Sequence, residues 1–211
     1  EVVVLARSGA GGKERRLGDL AIPIRSLVDK PPVSGRQAAS LDAVWRPLAH
    51  SVEATVPEVQ LTLVGGTAHD RARAARELGP RLRLEPEFVG RTRLRELLQQ
   101  SQLVAGVFGG GGKAQRVVPF KLVHALAAGR PVLTAATPAV LGWLDGSGAV
   151  FTAPAADADA LAAVLRELAA DPARVAAAAE AARPAYDRHF ATERLAARWH
   201  ELLARLSPAT A

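Results

Sequence analysis

Cysteine and methionine are both absent from this 211-residue sequence. Without cysteine there are no disulfides and no thiolate chemistry, a composition that fits a reducing compartment. A chain that has no methionine and opens on Glu1 is expected to be a processed chain or a piece of a longer one. Aromatic residues are scarce as well: five Phe, three Trp and one Tyr. So few rings leave little for base stacking along a nucleic acid. The formal charge of +6 is scattered along the chain and not gathered into a footprint. Nucleic acid is therefore not the expected partner, and Trp45, Trp143 and Trp199 read as packing residues. No apolar run approaches the roughly 18 residues of a membrane span, and the N-terminus lacks the layout of a signal peptide. A cytoplasmic protein without a transmembrane segment is expected, with peripheral attachment at a membrane left open.

Lysine is also rare. Of 27 Lys and Arg residues, only Lys13, Lys30, Lys113 and Lys121 are lysines. In a chain so biased toward Arg and Ala, their positions direct attention to the stretches that hold them. Hydrophobic residues make up 49% and charged residues 23%, the balance of a globular chain long enough to bury a core.

Apolar runs bounded by turn signals alternate with helical stretches. Strands are predicted at Val2 to Ala6, within "LAIPIRSL", at Val59 to Gly66, near "LRLEPEFVG", at Leu103 to Phe108, over "PVLTA" and over "GAVFTA". Helices are predicted from about Gly35 to Thr55, over "AHDRARAARELG", over "RTRLRELLQQS", from about Pro119 to Ala128, over "PAVLGWL", and through most of the sequence after Ala156. This alternation predicts an α/β fold: a Rossmann-like parallel sheet with helices on both faces, followed by C-terminal helices. Three segments are expected: residues 1–20 as an N-terminal extension or interdomain remnant, 21–190 as the Rossmann-like domain, and 191–211 as a C-terminal helix and tail. Such sheets bind ligands outside the carboxyl ends of their strands. The loops opening at Arg25, Gly65, Gly90 and Gly109 are the ones to inspect.

Two motifs fail. "RSGAGGKE" has the glycines and lysine of a phosphate loop, but Arg7 and Glu14 occupy positions where that loop needs Gly and Ser or Thr. "GGGGKA" (Gly109 to Ala114) fits the dinucleotide fingerprint formally, yet its helix opens late and no acidic residue stands near twenty positions onward. His50, His69, His124, His189 and His200 show no ligand spacing with carboxylates, so no metal site is expected. A nucleophile elbow is absent too.

The stretch after Phe108 holds together physically. Glycines let backbone approach a ligand closely and turn its amides inward. Pro119 suits a helix start, and a helix N-terminus offers amides and a positive dipole end to an anion. Lys121 adds a point charge, Lys113 and Arg116 can close from the loop, and His124 lies about 60° from Lys121 on the helix, away from Leu122. A diphosphate would suit this arrangement.

"VFGGGGKAQRVVPFKLVHALAAGRPVLTAATPAV" resembles the donor-binding motif of GT-B glycosyltransferases of the family-4 type, K-A-x-R-V-x-P-x-K-x-x-x-A-L-A-x-G-x-P-V. The likeness runs from about Trp45 to Leu206, and the first 35 or so residues match poorly. It implies the C-terminal, nucleotide-sugar-binding half of such an enzyme, with an N-terminal acceptor domain in cis or trans. The acceptor itself, whether glycan, lipid or small molecule, is not implied. Transfer would retain the anomeric configuration and need no cofactor or metal, the nucleotide-diphosphate-sugar being a co-substrate. By resemblance, Gly109, Gly110, Gly111, Gly112 and Lys113 lie near the donor sugar and phosphates, and Gly65 joins the donor-binding set. The helix from Pro119 holds the diphosphate, with Leu122 close by. His124 and Arg116 stand where the family often has glutamates, the first of which contacts the ribose. Arg25 and Lys30 have the spacing of the pair that stabilises the departing diphosphate, though Ile24 and Pro31 replace the usual glycines. The expected catalytic set is thus Arg25, Lys30 and Lys121. The alternative is a nucleotide-sugar-binding or protein-interaction domain without catalysis.

Overall fold

The computed structural model describes residues 2–7, 59–66 and 68–206. The strands are β1 (Val2–Arg7), β2 (Val59–Val64), β3 (Leu82–Leu84), β4 (Leu103–Ala105), β5 (Val132–Ala135) and β6 (Val150–Ala153). The α-helices are α1 (Ala68–Leu78), α2 (Arg91–Gln100), α3 (Phe120–Ala127), α4 (Pro138–Leu144), α5 (Ala158–Ala170), α6 (Pro172–His189) and α7 (Thr192–Leu206). The predicted strand at "LAIPIRSL" and helix from Gly35 to Thr55 lie outside the described residues.

One six-stranded sheet runs in the order β3-β2-β1-β4-β5-β6. β2 pairs with β3 in parallel, as do β4 with β5 and β5 with β6. β1 lies antiparallel to both β2 and β4. The expectation of parallel pairing fails for this strand because "VVVLA" carries the same apolar pattern in either direction. Val2–Arg7, assigned from the sequence to an extension, is therefore a central strand of the sheet. Since β2 and β4 both oppose β1, they run the same way as each other. Every strand except β1 thus ends at one common edge, and that edge carries the loops after β2 and β4.

Alternation along the strands divides the core. Leu61, Leu63, Leu103, Ala105, Leu133 and Ala153 pack with Ala74 and Leu78 of α1 and Leu161, Leu165 and Leu168 of α5. On the opposite face Val64, Val104 and Val132 meet Leu97 and Leu98 of α2, Leu122, Ala125 and Leu126 of α3, Val140 and Leu144 of α4, and Ala182 and Ala185 of α6. Burial on both faces is what makes these strands near-continuous apolar runs. Two predicted strands end early, at Leu84 and Ala105, where the chain turns into loops. Polar caps begin the later helices: Thr137, Asp157 and Asp171 accept from Val140, Ala160 and Arg174 amides. α7 buries none of its residues. Trp199, expected to pack, is 62% exposed on this helix, whereas Trp143 stacks on Phe190 at 5.6 Å.

At the carboxyl edge of β2 and β3, Glu85 is nearly enclosed by arginines. Its carboxylate pairs with Arg93 and Arg83, and its carbonyl accepts from Arg71, which also donates to the Gly65 carbonyl at 3.0 Å. The Arg93 hydrogen bond holds the Glu85 carboxyl below the ordinary carboxylate range; burial opposes this, and the charges of Arg93 and Arg83 add to it. A depressed acid contributes stability that is complete above its unfolded value and is lost as the pH falls through the folded one. Glu85→Gln is therefore expected to melt lower than the parent at pH 7. The difference should shrink as the pH falls below about 4, near the ordinary glutamate value, in thermal melts followed by circular dichroism.

Candidate functional site

β4 ends at Ala105, and the chain passes over β5 at the glycine that follows. A Cβ placed on Gly106 would stand 2.4 Å from both Cβ and Oγ1 of Thr134 on β5, and 3.2 Å from Leu122 Cδ1. Only a residue without a side chain fits there. The exit is then pinned: the Gly106 amide donates to the Leu133 carbonyl at 2.7 Å, and the Thr134 hydroxyl accepts from the Val107 amide at 3.1 Å and donates to the Val107 carbonyl at 3.0 Å. Phe108, 1% exposed, anchors the far side, its carbonyl accepting from the Ala156 amide at 2.7 Å.

From this base the loop rises over Gly109–Gly112. Gly109 is buried, while Gly110, Gly111 and Gly112 are exposed. A Cβ at Gly110 or Gly111 would meet nothing within 4 Å. Neither residue takes the left-handed backbone that favours glycine, unlike Gly65 (φ 87) and Gly66 (φ 85) after β2. The fold itself gives no reason for glycine at 110 and 111. A short turn follows, with the Gln115 amide on the Gly111 carbonyl, the Arg116 amide on the Lys113 carbonyl, and the Ala139 amide of α4 on the Gln115 carbonyl. Lys113 and Arg116 are exposed on this turn.

Pro119 proves to be the N-cap of α3, in extended conformation (φ −65, ψ 142), and the helix opens at Phe120, one residue later than expected. No side chain caps this start, which carries the positive end of the helix dipole. Lys121, half-buried, reaches back over the end of β4 and donates from Nζ to the Gly106 carbonyl at 3.2 Å. Leu122 is fully buried against the sheet, so its side chain is core. His124 is half-buried one turn on, stacked against Phe120, and burial pushes its imidazole below the ordinary value of 6.5. It is neutral at pH 7 and offers hydrogen bonding and a ring face, not a charge.

The structure thus gathers Gly109–Gly112, Lys113, Arg116, Pro119 and Lys121 around the end of β4. Gly65 ends β2, two strand spacings or about 10 Å away. Arg25 and Lys30 lie outside the described residues. Sequence reasoning missed Gly106 and Thr134; a glycine interrupting an apolar strand was the available signal. Among the described residues, no three His, Cys, Asp or Glu side chains assemble as a metal-binding group, and no helix is long and apolar enough to cross a membrane.

The family model described as glycosyl transferases group 1 matches residues 36–171, a span that takes in β2 to α5 and the whole glycine loop. The chain belongs to the glycosyl transferases group 1. No curated protein matches it in sequence. Among solved structures, this glycosyltransferase-family chain resembles sucrose-phosphate synthase from Thermosynechococcus elongatus (TM-score 0.65, 21% identity, 78% of this chain and 42% of that one). It also resembles Anabaena HepE in complex with UDP (TM-score 0.62, 17% identity, 77% and 45%). A glycosyltransferase from Rickettsia africae ESF-5 is similar at TM-score 0.57 and 12% identity, with 74% and 42% covered. These likenesses establish the fold as that of the C-terminal half of a GT-B glycosyltransferase. The chain spans less than half the length of each of these structures.

Two kinds of glycine are therefore expected to respond differently to alanine. Gly106→Ala should lose about 1–3 kcal/mol through overpacking against Thr134. Gly110→Ala and Gly111→Ala should stay within about 0.5 kcal/mol of the parent, as surface changes do. Urea midpoints for the three variants check this.

Proposed function

We propose that this chain is the donor-binding half of a glycosyltransferase that moves a sugar from a nucleotide-diphosphate-sugar to an acceptor, with retention and without a metal. The observation that carries the reading is the glycine loop at the end of β4 leading into the uncapped start of α3, with Lys121 held on the Gly106 carbonyl. Glycines that the fold does not need, next to a positive helix end and a lysine, suit a ligand whose phosphates come close to backbone. The titles of the HepE structures name UDP and UDP-glucose as their ligands, which supports a nucleotide-sugar as the donor class here.

In the proposed reaction the bond between the sugar's anomeric carbon and the diphosphate oxygen breaks, and negative charge grows on the departing phosphate. Fixed cations and a helix N-terminus offset that charge most in the transition state. Lys121 and the first turn of α3 serve this from the described half. Arg25 and Lys30 are the further cations assigned by resemblance. Lys113 and Arg116 close from the loop, and His124 meets the ribose as a neutral partner. The acceptor would bind on an N-terminal domain, in cis or trans. A cytoplasmic setting belongs to the same reading and accords with the absence of cysteine.

Calorimetric titration with nucleoside diphosphates and their sugar conjugates, in buffer with chelator, tests this directly. Saturable binding of one base series is expected, and Lys121→Ala should weaken it by roughly 10- to 100-fold, the range for hydrogen bonds to charged groups. Absence of binding by a folded chain would sink the donor reading. Binding with no sugar transfer or donor hydrolysis, even when an acceptor domain is supplied, would leave a nucleotide-sugar-binding domain.

A further inference from the structure

Phe120 is the first residue of α3 and is 67% exposed, although it sits in a segment whose neighbours Leu122, Ala125 and Leu126 are wholly buried. On the helix those core residues point to the sheet, while Phe120, His124 and Lys121 share the other side. The Phe120 ring therefore plays no part in the apolar core. It is nonetheless ordered against a partner: its centroid lies 6.4 Å from that of His124, with the planes 27° apart, an offset stack. His124 is itself half-buried and fixes the inner face of the phenyl ring. The outer face is left to solvent, one residue from the lysine that covers the end of β4. An exposed large apolar ring beside a cluster of cations calls for an explanation that scattered surface hydrophobics do not.

We infer that Phe120, backed by His124, is the stacking wall for the nucleoside of the donor. The inference rests on the donor reading of the glycine loop and adds to it a division of labour. The loop, the α3 start and Lys121 hold the charged diphosphate, and the Phe120 face holds the flat, uncharged part attached to it. A phenyl face stacks on any base, because every base has a π-face, so this wall supplies affinity without choosing among bases. Base choice must then come from other groups.

The test separates the two parts of the ligand. Uridine, adenosine and guanosine 5′-diphosphates and inorganic pyrophosphate are titrated into the full chain and into Phe120→Ala and Phe120→Tyr. Phe120→Ala is expected to weaken the preferred nucleoside diphosphate about tenfold, within the range of base–aromatic stacking, and to leave pyrophosphate within about twofold. Phe120→Tyr, which keeps the ring, should stay within about twofold for both. Because the side chain is largely exposed, the melting temperature of each variant should match the parent, confirming that both are folded. Unchanged nucleoside diphosphate binding in Phe120→Ala overturns the inference. Equal weakening of pyrophosphate also overturns it, since Phe120 would then only shape the helix start. A parent that binds pyrophosphate as tightly as every nucleoside diphosphate has no nucleoside wall. A parent that binds none of the four ligands removes the donor reading itself.

Discussion

The contact between Gly106 and Thr134 is the constraint on which the site depends. Adjacent strands in a sheet are held at a fixed spacing, and here the chain leaving β4 must pass over a side chain of β5 with no room for a Cβ. The Thr134 hydroxyl then takes the Val107 amide and shares the Val107 carbonyl with the Ala135 amide, so both backbone groups are satisfied as the chain departs from the sheet. The Gly106 carbonyl is left on the outer side, where the Lys121 ammonium takes it. One close approach thus sets where the glycine loop rises and where the lysine of α3 is held.

Charge is used differently at two places along the carboxyl edge of the sheet. At the β2–β3 end, Arg83 and Arg93 pair with the carboxylate of Glu85 and Arg71 ties down two carbonyls, so those arginines are committed to structure. At the exit from β4, Lys121 donates to the Gly106 carbonyl, and Lys113 and Arg116 are exposed on the turn that leads to α3. Net charge alone said little about partners, because it does not show which cations are held in ion pairs within the fold.

Much of the architecture was legible because burial on both faces gives apolar runs of strand length, and because helices between them carry their own punctuation. "PAVLGWL" is bounded by Thr137 and Pro138 and forms a helix over the predicted residues. Within the site, the glycine run, Pro119 and Lys121 were visible as residue types at helix-start spacing. Gly106 was passed over since one glycine in an apolar run looks like a weak strand until the neighbour across the sheet is known. Phe120 was passed over for a similar reason, as exposure is not written in a sequence and an aromatic beside Leu122 reads as core.

Among the described residues, the sequence by itself determined the order of strands and helices, the glycine-rich exit and the cations that follow it, because these rest on local pattern and residue chemistry. The tertiary structure alone decided that β1 runs against its neighbours, that Leu122 faces the core while Phe120 faces out, and that Lys121 lies over the Gly106 carbonyl. Those depend on which elements become neighbours, and contacts between residues far apart in the chain are set by packing, which no local window contains.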